Sequence, residues 1–192
     1  MKSIAMGIAL ALLAGCSGIT RFHTATVDSE TGYLPVSNDP EAPVAEVKVI
    51  KHAAVDLKDF HGRILVTAGD FAVEQMRNLH VFENVMSARD MDKALKSAGV
   101  DKQLPTPRWL LDLRDVYRLY GPFLWFHFDA KKVQDTVYDY YVVTDPSTGE
   151  DLYEVRAEEP KGKAGATDQT TWFPMFNALI DWLRANGQKV PG

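Results

Sequence analysis

Phe123-Leu124-Trp125-Phe126-His127-Phe128 is apolar on both of the faces that a strand presents, because successive side chains in a strand point to opposite sides. Such a strand needs cover above and below. It is therefore expected near the centre of a sheet with other elements packed on each side. Arg63-Ile64-Leu65-Val66-Thr67-Ala68, closed by Gly69-Asp70, repeats the pattern as a second buried strand. Val81-Phe82-Glu83-Asn84-Val85-Met86 alternates loosely and reads as a third, and Val47-Lys48-Val49-Ile50 as a short strand where the folded part begins, near Val44. Tyr138 to Thr144 and Leu152 to Ala157 flank Asp145-Pro146-Ser147-Thr148-Gly149. In that link Pro presets one turn position and Gly takes a positive φ, which predicts a hairpin.

Helical periodicity fills the spaces between these strands. Phe71 to Asn78 reads as a short helix. Ser87-Ala88-Arg89-Asp90 has the form of a capping box ahead of the apolar face Met91, Ala94, Leu95 and Ala98, with Gly99 as the left-handed stop. Pro105 and Pro107 punctuate, and Pro107 suits the first turn of a helix with the stripe Leu110, Leu113 or Arg114, Tyr117 and Tyr120, stopped by Gly121-Pro122. A closing helix from Thr171 to Ala185 turns Trp172, Met175, Phe176, Leu179 and Leu183 one way, with Pro174 in its first turn and Asn186-Gly187 at its end. The order counted from Arg63 is β-α-β-α-α-β-β-β-α. It predicts an α/β (α+β) fold with a single mixed sheet and helices packed on it.

The N-terminus carries a different message. Lys2 supplies a positive start, and Ile4 to Leu13 is an apolar run too short to span a bilayer as a helix. Leu13-Ala14-Gly15-Cys16 follows, and Cys16 is the single cysteine of the chain. This run resembles the lipobox of bacterial lipoproteins at all four positions. The resemblance implies cleavage before Cys16, a diacylglycerol thioether on its sulfur and an acylated α-amine. Ser17 in the next position implies sorting to the outer membrane, with the domain facing the periplasm or displayed at the surface. Two or three acyl chains hold a protein stably where one holds it marginally.

These readings divide the chain into a signal peptide over 1–15, a lipidated N-terminus and flexible tether over 16–43, and a single globular domain over 44–192. Pro35, Pro40 and Pro43 in a polar stretch suggest the tether. Extended, it would reach roughly 85 Å. The alternative is that Thr24 to Val27 or Tyr33 to Val36 joins the sheet as an edge strand.

Composition narrows the partners. Net charge is −5 with no Lys/Arg-rich run, which argues against nucleic acid and against electrostatic attachment to anionic lipid. With Cys16 committed to lipid, no disulfide is possible and the core must hold by packing.

No catalytic motif emerges. His23, His52, His61, His80 and His127 lack metal-ligand spacing, and no G-x-S-x-G elbow occurs. Gly162-Lys163-Ala164-Gly165-Ala166-Thr167 fails as a phosphate loop because no Ser or Thr follows the Lys, and it reads as a linker. The carboxylate pairs Asp90/Asp92, Asp112/Asp115 and Glu158/Glu159 read as solvated faces. No cofactor, metal or catalytic residue is assigned.

His127 shares a strand face with Phe123, Trp125 and Asp129, so His127 and Asp129 are the first suspects of the enzyme alternative, an envelope hydrolase with dispersed catalytic residues. Half of the aromatic residues lie between Tyr117 and Tyr153. Trp125, His127, Tyr138, Tyr140, Tyr141 and Tyr153 are the candidate binding residues, with alternation sending some to each face. Trp172 and Phe173 either extend that patch or staple the closing helix to the sheet.

The element order over residues 60–187 is similar to that of small α/β domains in envelope-assembly lipoproteins, such as the curli-secretion and penicillin-binding-protein-activator lipoproteins and the N-terminal domain of the Tol translocation protein. The resemblance implies a membrane-anchored binding or adaptor domain with an envelope protein partner. A subunit of an oligomeric export assembly is the other reading, and the oligomeric state is open.

Overall fold

The computed structural model describes residues 22–41, 44–104, 112–158 and 167–191. Cys16 and the lipobox, Pro43, the punctuation at Pro105 and Pro107, and most of the Gly162–Thr167 stretch lie outside the described residues.

One six-stranded mixed sheet organises the chain. Its strands are β1 (Glu46–His52), β2 (Arg63–Val66), β3 (Asn84–Ser87), β4 (Leu124–Val133), β5 (Thr136–Asp145) and β6 (Glu150–Glu158), in the order β1-β6-β5-β4-β2-β3. Among the described residues the α-helices are α1 (Asp70–Asn78), α2 (Ala88–Ser97), α3 (Leu113–Tyr120) and α4 (Phe173–Ala185). β2 runs parallel to both β3 and β4, while β4, β5, β6 and β1 form an antiparallel run. The doubly apolar β4 is central, as its composition requires. Leu124 and Phe126 face the core beneath α1 and α4, and Trp125 joins Leu65, Met86, Met91, Leu95 and Val116 beneath α2 and α3.

Local signals explain the helix ends. Ser87 Oγ accepts from the Asp90 amide at 3.2 Å, the Ser87 amide donates to Asp90 Oδ2 at 3.1 Å, and Gly99 follows α2 at φ 71°. A π-helical turn, Asp168–Trp172, precedes α4, and Thr167 caps it by accepting from the Thr170 amide. α4 is buried well beyond its expected stripe: Ile180 and Trp182 are also covered. Trp182 donates to the Ala53 carbonyl at 2.8 Å and stacks on Tyr153, so the chain after β1 covers its second side.

The tether expectation is corrected over the described part of 16–43. Residues 22–41 form neither a free tether nor an edge strand; they are an irregular strap laid on α1 and α4. Val27 and Leu34 are buried. The fully buried Gln75 of α1 holds both backbone groups of Ala25, accepting from its amide and donating to its carbonyl at 2.9 Å each. Asn177 of α4 does the same for Leu34, at 2.7 and 3.0 Å. A polar strap without periodicity can dock in this way because side-chain amides replace the ladder partners that its backbone needs.

Candidate functional site on the open sheet face

Over β4, β5 and β6, the face turned away from α1 and α4 carries a ladder of polar and aromatic groups. Register sets its rungs: Trp125 lies opposite Thr144, which lies opposite Asp151; His127 opposite Val142 and Glu154; Asp129 opposite Tyr140 and Arg156. The Trp125 and His127 rings stack with centroids 3.9 Å apart and 19° between planes, and the Trp125 indole donates to Thr67 Oγ1 at 2.9 Å. The Thr144 hydroxyl donates to Asp151 Oδ1 at 2.6 Å. Its oxygen is then the acceptor for His127 Nε2–H at 3.1 Å, which sets the proton on that nitrogen. Burial holds the His127 pKa below its ordinary value, against the opposing pull of Asp151 and Asp129.

Beyond His127 the ladder is charged and internally paired. Lys131 reaches Glu154 at 3.1 Å and Asp129 at 3.8 Å while lying over the Tyr140 ring at 4.9 Å. Arg156 lies 4.1 Å over Tyr138 and pairs with Glu158. Cation–π contact and neighbouring carboxylates hold these long side chains flat on the sheet, so Tyr140 and Arg156 are largely covered. Asp129, expected beside His127, turns toward Lys131.

The six candidate binding residues divide by face. Trp125, His127, Tyr138 and Tyr140 share the open face, but Trp125 and Tyr140 are themselves buried, so only His127 and Tyr138 are accessible there. Tyr141 and Tyr153 are corrected. They alternate to the other side, where Tyr141 packs on Phe126 and Phe176 and Tyr153 stacks on Trp182; both are buried and cannot touch a ligand. Burial raises both phenol pKa values far above the ordinary value, so these side chains act as neutral core aromatics. Trp172 also falls on that side and stacks on Tyr141 at 5.6 Å, so it staples the closing helix to the sheet. Sequence reasoning missed Thr144 and Asp151, which are brought to His127 only by the hairpin register and by the irregularity in pairing at Val143/Thr144.

Among the described residues, no three His, Cys, Asp or Glu side chains gather as a metal site would need, and no helix is long and apolar enough to cross a membrane. No family model and no curated protein matches the chain. Among solved structures, a PelC dodecamer from Paraburkholderia phytofirmans is similar at 12% identity, covering 59% of this chain and 79% of that chain with a TM-score of 0.27. A second PelC dodecamer from the same organism, a variant, is similar at 10% identity, covering 76% and 100% with a TM-score of 0.30. Neither score reaches the level of a shared fold.

Proposed function

We propose that the chain is a lipoprotein of the bacterial envelope, held at the outer membrane by lipid on Cys16, and that its α/β domain works by binding a protein partner. The observation that carries this reading is Leu13-Ala14-Gly15-Cys16 at the end of a short apolar run. A binding role is supported by the sheet face itself, on which Trp125, His127, Thr144 and Asp151 are held in fixed mutual contact. The accessible side chains of the ladder, with Tyr138 foremost, offer a surface with flat rings and paired charges, suited to a polar partner. Cys16→Ala is the decisive variant. It is expected to move the protein from the membrane fraction to the soluble fraction, and a variant that stays with the membrane would overturn the anchor.

A further inference from the structure

On the sheet side that carries α1 and α4, a cluster of rings remains at the surface beyond the N-terminus of α4. Trp172 lies between Phe22 and Phe128, with centroids 5.9 and 6.2 Å away. Phe22 is 39% exposed and Phe128 41%. Val137, 57% exposed, lies on the same sheet face toward the β4–β5 turn, beyond the Ala130–Asp139 pair. Large apolar groups left adjacent at a surface mark a contact.

The position of Phe22 identifies what is contacted. It belongs to the strap, which Gln75 and Asn177 fasten to the domain from Ala25 onward. Phe22 is six residues beyond Cys16, a separation of at most about 22 Å for a fully extended chain. The reach of roughly 85 Å expected for a free tether is therefore lost. That bound on the separation is less than the width of a domain of this size, about 30–40 Å.

We propose that Phe22, Trp172 and Phe128, continued by Val137, form a membrane-contact patch that lays the domain against the lipid surface holding Cys16. The inference rests on the lipoprotein reading. Aromatic rings favour the bilayer interface. The net charge of −5 gives no attraction to anionic headgroups, so apolar contact carries the interaction. Lys132 on the same sheet face is paired with Asp135 at 3.3 Å, so the charge there is balanced and adds no net attraction.

The test uses the full-length lipidated protein in vesicles of phosphatidylethanolamine and phosphatidylglycerol. Single nitroxide labels are placed through Phe128→Cys, Val137→Cys and, as a control in the β5–β6 turn at the opposite end of β5, Ser147→Cys. Each label is challenged with oxygen, which partitions into lipid, and with a water-soluble nickel chelate. Labels at 128 and 137 are expected to show an oxygen-to-nickel accessibility ratio several-fold above that at 147. Val137 is exposed, so its variant keeps the test informative if Phe128→Cys does not fold. Nickel access at 128 and 137 equal to that at 147, in vesicle-bound protein, overturns the patch and leaves the anchor standing. Shielding from both quenchers means that protein covers the patch, and also overturns it. A Cys16 thiol that still reacts with maleimide overturns the anchor, and the inference with it.

Discussion

Thr144 has one proton, and the structure commits it to Asp151, so the threonine oxygen faces His127 as an acceptor. That fact defines how His127 titrates. Burial is the largest influence and favours the neutral ring, outweighing Asp151, Asp129 and a hydrogen bond to the Phe128 backbone. The folded pKa lies below the ordinary value of 6.5, so the unfolded chain takes up the proton first as pH falls. The stability contribution is present in full above 6.5 and is lost as pH falls through the folded pKa. His127→Gln keeps an N–H for Thr144 and removes the titration. Urea midpoints followed from about pH 7 to 5 should fall for the parent protein and run flatter for this variant. That Trp125 and His127 share a sheet face was legible from alternation along one strand; that their rings stack was not. The Thr144 and Asp151 partners were not, because they arrive from two other strands and depend on register.

Elements with complete local signals formed where they were expected. Ser87 and Asp90 satisfy each other's backbone donors within four residues, and Arg77 of α1 adds a bond to the same carboxylate at 3.0 Å. The Asp90 carboxyl is held below its ordinary pKa chiefly by the Ser87 hydrogen bonds. Ser87→Ala should cost about 1 kcal/mol, read as a lower urea midpoint with an unchanged slope. The β4–β5 hairpin lacked such a signal. β4 runs on through Asp129–Val133, whose alternation is charged, and turns at Gln134, a non-glycine residue at φ 56°. Nothing in Val133-Gln134-Asp135-Thr136 matches the Asn-Gly or Gly-x pattern of a tight turn. The two strands are aligned instead by their cross-strand partners, among them Phe128 with Tyr141 and Lys131 with Tyr138.

At the scale of the molecule, the strap adds to the core. Val27 and Leu34 are buried by its docking, and burial of each such side chain contributes about 1.5–3 kcal/mol. A chain beginning at residue 44 should therefore show a lower urea midpoint than one beginning at residue 22, with the loss capped at about 3–6 kcal/mol because ordering the strap costs chain entropy. Equal stabilities would mean that the strap contributes nothing. Its docking was hidden from the sequence because it has no period: two side-chain amides, from α1 and from α4, hold Ala25 and Leu34 across separations of 50 and 143 residues. By itself the sequence determined what depends on near neighbours. The doubly apolar strand at 124–128, the capping box at Ser87, the hairpin at Asp145–Gly149 and the closing helix all follow from propensity and periodicity within a few residues. Only the tertiary structure decided which tyrosines face the core, what His127 bonds to, and that the polar N-terminal stretch lies on the helices. Those outcomes depend on register and on hydrogen bonds between residues far apart in the chain, and local free energies carry no information about either.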